Sequence, residues 1–428
     1  MSLPWPVTVK PRPRAPSTGG DDLWKPVGVP RFEPFHALRF AATDLEPLLA
    51  PPYDVLDDAD VDALQARSPH NVTYVDVPRG GADRYDEAAR TLAGWVDEGV
   101  LVRDPEPSFT IYRLRFTDAG GAARDVAGVL GALEVVDPPT STGARGVLPH
   151  ERTTPKDSTD RLELTRATAA NLSPVWGLSL ASGLAALLAE PGEPVGRLLD
   201  DADGRTVEHV WERVTDPERV LAVCDLLASD DVLVADGHHR YAVSRTYRDE
   251  VRAATGRDDT SAELTLAFVA ELVADQLSVE AIHRLYADVD AAVLREALDH
   301  FFVRTPTGAP DATTAAAMAS EGFLVLLTPD GAERLDPRPG AFEAVRSLDG
   351  VWLETALEGV ALRTAYQHGL DETLRAVAEG RAAAAVLVRP VSLAEIERTA
   401  REGLLMPPKS TFFTPKLKTG AVLRPLAD

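Results

Sequence analysis

The chain has 428 residues, 45% of them hydrophobic and 26% charged, which is more than one ordinary core absorbs, so two domains are expected. Its 44 Lys and Arg against 67 Asp and Glu leave a formal net charge of -23, and a surface that acidic repels polyphosphate backbones and argues against nucleic acid as the main partner. A single cysteine, Cys224, excludes an internal disulfide and cysteine-based zinc sites, and no apolar run is long enough for a membrane span, so a reducing, cytoplasmic setting is expected.

Residues 1–30 carry many prolines, glycines and charges with little periodicity and read as a disordered leader. Leu38–Phe40 reads as a first strand. Pro51 and Pro52 then hold an extended segment that presents Tyr53 and Asp54 in a defined direction, as candidates for substrate contact or as part of a rigid turn. Asp57 caps an expected helix that ends at Ser68-Pro69, and 72–77 alternates like a strand. On Asp83–Gly99 the residues Tyr85, Ala88, Leu92, Trp95 and Val96 share one helical face. The runs 108–116 and 126–136 read as a hairpin closed around Asp118-Ala-Gly-Gly.

A polar segment follows, opening on Pro149-His150-Glu151-Arg152, with Asp157 or Ser158 as the cap of a helix reaching about Asn171 and Asp160 and Arg161 on its first turns. A glutamate beside a histidine, just ahead of a helix, suits a general base if its surroundings tune it. The plain alternative is a charged loop before an amphipathic helix. Pro174–Leu178 reads as a buried strand and Asp216–Ser229 as an amphipathic helix.

The stretch Asp231–Tyr241, DVLVADGHHRY, is the densest in chemistry. A short β-branched run ends in Asp-Gly, and helical spacing starts at Tyr241, so it reads as strand, tight turn and helix. Unpaired backbone N–H groups and the positive end of the helix dipole favour an anion there. Gly237 lets the backbone approach a ligand, and His238, His239 and Arg240 surround the one acid, Asp236, with hydrogen-bonding and cationic groups. The competing reading is a solvated turn capped by Asp236.

Leu264–Val273 reads as a buried strand. From about 288 helices and strands alternate: helix 290–300, strand 301–304, helix 312–320, strand 323–327, helices near 351–358 and 371–378, strand 384–388 and helix 392–402. They form a second α+β unit without an evident catalytic cluster. The tail Met406–Lys416, MPPKSTFFTPK, has prolines that fix an extended path, while Lys409, Ser410, Thr411 and Lys416 offer phosphate-binding donors; it reads as a strap returning to the first domain.

PPYDV (51–55), PHERT (149–153), ADGHHRYA (235–242) and MPPKSTFFTPK (406–416), in this order, resemble the widespread bacterial family known as domain of unknown function 1015, from about residue 31 to the end. Pro149-His150-Glu151 and Asp236–Arg240 also resemble motifs of the archaeal ADP-dependent free-serine kinases of the ParB and sulfiredoxin superfamily, with a longer gap between them here. The resemblance implies an α/β (mixed α+β) fold with a ParB-like catalytic core over 31–285 carrying inserted strands, an α+β domain over 286–405 and a strap over 406–428. It implies phosphoryl transfer from ATP or ADP to free L-serine, with Glu151 as base and Asp236 in a catalytic or Mg2+-organising role. Gly237, His238, His239 and Arg240 would hold the nucleotide phosphates, helped by Lys409, Ser410 and Thr411, and Tyr53, Asp54, His150 and Arg161 would meet the substrate. The expected partners are a small-molecule substrate and a nucleotide, without nucleic acid or membrane, and a homodimer stays open.

The residues alone already agree in type, because phosphoryl transfer needs a base, a carboxylate and cationic donors around the transferred group. No Walker loop or protein-kinase signature occurs. Two rival readings are a ParB-like nucleotide-dependent regulator, which would want a basic surface and a helix-turn-helix, and a metal-dependent hydrolase using His150, Glu151, His238 and His239.

Overall fold

The computed structural model describes residues 30–118, 120–137, 146–151, 155–202, 205–311 and 313–426. The expected leader, apart from Pro30, lies outside them, as do Arg152 and Thr153. The architecture is mixed α and β. Among the described residues, nine strands form one sheet in the order Val147–Leu148, Val232–Asp236, Val175–Ser179, Leu264–Glu271, Ala123–Glu134, Phe109–Thr117, Arg205–Val214 and Glu193–Ala202, with Phe32–Glu33 paired to Ala123–Glu134.

The apolar run of residues 232–235 follows from its place in that sheet. Val232 and Val234 pack into one core while Leu233 and Ala235 pack into another, so both faces are covered and no polar alternation is needed. Val232–Asp236 runs parallel to Val147–Leu148 and antiparallel to Val175–Ser179, which brings residues far apart in sequence to one sheet end. At Gly128 a Cβ would come within 2.3 Å of the Phe268 ring, so only glycine lets that aromatic side chain lie against the neighbouring strand.

Six strands form a second sheet in the order Phe302–Thr307, Gly331–Pro337, Leu324–Thr328, Ala384–Leu387, Ile282–Ala287 and Arg363–His368. Three of these, Ile282–Ala287, Gly331–Pro337 and Arg363–His368, are additional to the elements expected from sequence.

The tail is woven into the first sheet's side of the molecule. Phe412–Thr414 pairs with Ser278–Glu280, Ala50 bridges Thr419, Leu38 bridges Leu423, and Arg424–Pro425 pairs with Ala170–Asn171. Leu417, Ala421, Val422 and Leu423 are buried in the same core as Trp176 and Phe268. No helix among the described residues is long and apolar enough to cross a membrane.

Three local expectations are corrected. Residues 73–76 are a helical turn, because buried Asn71 accepts from the Thr73 N–H and hydroxyl while its amide donates to the Pro47 and Leu49 carbonyls, bending the chain out of strand geometry. The helix after Val232–Asp236 starts at His238 and not at Tyr241, with Gly237 as its N-terminal cap at φ +84°. Similarly, the helix expected to be capped by Asp157 or Ser158 already includes Pro155 and ends at Thr168, three residues short of Asn171.

Candidate functional site

Asp236 closes its strand and Gly237 turns the chain, so Asp236, His238 and Arg240 gather at a helix N-terminus. One Asp236 carboxylate oxygen accepts from Lys416 Nζ at 2.9 Å, and the other accepts from Arg240 Nη2 at 2.7 Å. These two cations hold the carboxylate well below the usual range, even though burial pushes the other way. Arg240 also donates to the Pro174 carbonyl. A Cβ on Gly237 would stand 3.1 Å from the Arg240 guanidinium, at a backbone angle that side chains rarely adopt. Gly237→Ala is therefore expected to cost about 1–3 kcal/mol of stability, measurable as a lower denaturant midpoint.

His150 lies across from this corner, fully buried. Its Nδ1 is 2.7 Å from the Val234 carbonyl, which only accepts, so the ring is the Nδ1–H tautomer and its Nε2 accepts from the Thr411 hydroxyl at 3.1 Å. The His150 and His238 rings meet edge to face at 4.7 Å. Burial lowers the His150 pKa to about 4 and that of His238 well below its ordinary value, so both are neutral at pH 7. His238 Nε2 is buried without a hydrogen-bond partner.

The depressed His150 pKa has a definite sign. The unfolded chain binds the proton near pH 6.5 and the folded chain only near 4, so stability from the neutral ring is complete above 6.5 and lost as pH falls towards 4. His150→Asn keeps a donor for Val234 and removes the titration. Its unfolding midpoint is expected to fall less than wild type over that window in a pH series of thermal melts.

Glu151 is half-buried and accepts from the backbone N–H groups of Lys409 at 2.9 Å and Ser410 at 3.1 Å. The strap is further fixed by Met406 N–H donating to the His150 carbonyl at 2.7 Å. Desolvation raises the Glu151 pKa against these two N–H donors. Lys409 and Ser410, expected from sequence to offer donors to phosphate, thus meet Glu151 through their backbone N–H groups, and Thr411, expected likewise, meets His150 through its hydroxyl.

The candidates near residue 53 divide. The Arg161 guanidinium lies 4.2 Å above the Tyr53 ring and donates to the Asp76 carbonyl at 2.6 Å and to the Asp160 carboxylate at 2.8 Å. Tyr53, Asp76, Arg161, Ser173 and Arg240 line one small cavity. Asp54 is exposed and is not part of that lining. His239 sits half-buried on the first turn after Gly237.

A second cavity of about 440 Å³ has Lys416, the other partner of Asp236, in its wall. Its lining includes Leu56 and Ala63, Asp200, His209, Lys418, and His368 from the second sheet. His209 and Asp76 were not singled out by sequence. For His209 the alternation Val207-His209-Trp211, all three inward-facing, was the available signal.

Among the described residues no group of three His, Cys, Asp or Glu side chains is placed to hold a metal ion. Asp236 has each oxygen engaged by a cation, so in this arrangement it does not fit as a magnesium ligand. Magnesium usually takes one or two carboxylates together with substrate phosphates.

A family model described as protein of unknown function (DUF1015) matches residues 32–351. No curated protein matches the chain. The fold is similar to a free serine kinase in complex with AMP, at 14% identity and a TM-score of 0.35 over 63% of this chain and 83% of that one. It is similar to C-terminally truncated SbnI from Staphylococcus aureus, at 14% identity and a TM-score of 0.37 over 67% and 84%. A conserved hypothetical protein from Pyrococcus furiosus gives 12% identity and a TM-score of 0.34 over 63% and 87%.

Proposed function

The chain belongs to the DUF1015 family, whose description names no activity, so its chemistry rests on the site, and we propose that it is a small-molecule kinase. In this reading a nucleotide, ATP or ADP, donates a phosphoryl group to the hydroxyl of a small acceptor, free L-serine being the first candidate. The observation that carries it is the bonded series Arg240, Asp236, Lys416: Arg240 lines one cavity, Lys416 lines the other, and Asp236 joins them. Two compartments meeting on a charged partition suit a reaction of two substrates.

The smaller cavity, about 40 Å³, is lined by Arg161 and Arg240, which suit a carboxylate, and by Asp76, now paired with Arg161, which suits an ammonium, so a free amino acid would enter by parting that pair. Glu151 lines neither cavity, so in this reading the acceptor's hydroxyl extends out to it; Glu151 takes that proton as the new P–O bond forms and the bond to the leaving phosphate breaks, and the nucleotide departs one phosphate shorter. Burial raises the Glu151 pKa, the direction that makes its carboxylate a stronger base. Lys416, Arg240 and the N–H groups of the helix start supply donors to phosphate oxygens. Magnesium enters with the nucleotide as its counter-ion.

The test is to follow L-serine and nucleotide with the pure protein. O-phosphoserine is expected, and Arg161→Gln should raise the KM for serine more than it lowers kcat. Unchanged KM in that variant would place the acceptor elsewhere.

A further inference from the structure

The cavity beside Lys416 contains a hydrogen-bond donor whose direction is fixed by its neighbours. The Lys418 backbone N–H donates to the Tyr112 hydroxyl at 3.0 Å, and that oxygen lies 2.7 Å from His209 Nδ1. The amide only donates, so Tyr112 accepts there, and because the described residues offer its hydroxyl no other acceptor, its own proton goes to His209 Nδ1. His209 Nε2 therefore carries the ring proton. It is buried, His209 being only 1% exposed and part of the cavity wall, and it has no partner. An unmet buried N–H is destabilising, and a bound acceptor recovers that loss.

The rest of the lining narrows the ligand. Leu49, Leu64 and Leu198 give apolar surface, whereas Glu46 and Asp201 add carboxylates that disfavour a second anion deep inside. The cations of the lining are Arg67, Lys418, which is paired with Asp200, and Lys416, whose ammonium reaches both Asp236 at 2.9 Å and the Phe412 ring at 4.4 Å. His368 of the second sheet stacks on Phe412 at 4.5 Å, so both sheets contribute to this wall. About 440 Å³ lies within the usual range for small-molecule sites. A flat, uncharged, acceptor-bearing body with hydroxyls and one phosphorylated end meets all of these demands.

We propose that this cavity seats the nucleoside of the phosphate donor, with the phosphates passing Lys416 towards Arg240 and with His209 Nε2–H donating to a ring nitrogen or carbonyl of the base. This rests on the kinase reading for the direction of the phosphates. The carboxylates accept from ribose hydroxyls, and the second sheet acquires a role through His368.

Calorimetric titration of the full chain with ADP, ATP and inorganic pyrophosphate tests it, alongside serine phosphorylation assays. Ala63 is exposed on the helix Asp58–Arg67 and lines the cavity, so Ala63→Trp fills the space without disturbing a core. Nucleotide affinity is expected to fall at least tenfold in Ala63→Trp and about 2- to 12-fold in His209→Gln, the loss of one hydrogen bond. Pyrophosphate binding should not change in Ala63→Trp. Wild-type nucleotide affinity in Ala63→Trp overturns the proposal while leaving the kinase reading intact. Nucleotide binding that is lost in Ala63→Trp, without phosphoserine formation by wild type, overturns the kinase reading and leaves the nucleoside seat standing. No nucleotide binding by wild type overturns both.

Discussion

Glu151→Gln is expected to lower turnover about 10²- to 10⁴-fold, the usual contribution of a positioned general base. The change keeps size and one carbonyl oxygen, so the Lys409 N–H still has an acceptor. The glutamine NH₂ then faces the Ser410 N–H, donor against donor, in place of a 3.1 Å hydrogen bond. That mismatch costs about 1–3 kcal/mol. A thermal melt separates the two effects: a modest fall in midpoint with a protein still folded, against a far larger loss of rate. Nucleotide affinity should be nearly unchanged, because the proposed base acts on the acceptor. A variant that turns over like wild type would remove Glu151 from the chemistry.

Asp236→Asn should do the greatest damage to both fold and activity. The carboxylate is shared by Lys416 and Arg240, whose side chains are 13% and 11% exposed, so neutralising it leaves two cations in a poorly solvated corner. Breaking a buried pair by removing one partner costs about 3–5 kcal/mol. The strap is tied to the helix start through this carboxylate, and the 406–416 segment should become more open to limited proteolysis in the variant. Lys416→Met with Asp236→Asn removes a charge of each sign and should recover part of the stability but none of the turnover. Recovery of both would reduce Asp236 to a structural residue.

Much of the site is legible in the sequence because local chemistry fixes it. A β-branched run stopping at Asp-Gly must turn, and the turn leads into a helix whatever the tertiary context. The hairpin 109–134 and most elements after residue 288 are legible for the same reason, through period and turn residues, whereas the strands Gly331–Pro337 and Arg363–His368 are not. The turn at 73–76 was not, since its cause is a single buried asparagine bonded to residues 47 and 49. The hairpin of Glu193–Ala202 and Arg205–Val214 carries charges on its outward positions, and these mask the inward Val207, His209 and Trp211. Sequence pattern also assigns Lys409 and Ser410 to a ligand, whereas the fold gives their N–H groups to Glu151. Side chains are chosen for the pocket, but backbone donors go to whichever acceptor the strap's path brings near.

The most direct measurement is phosphorus NMR of the purified protein with L-serine, magnesium and ATP or ADP. The account predicts an O-phosphoserine resonance that grows as the terminal nucleotide phosphate disappears, in wild type and not in Glu151→Gln. Nucleotide that stays intact, or that yields inorganic phosphate with no phosphoserine, would contradict it.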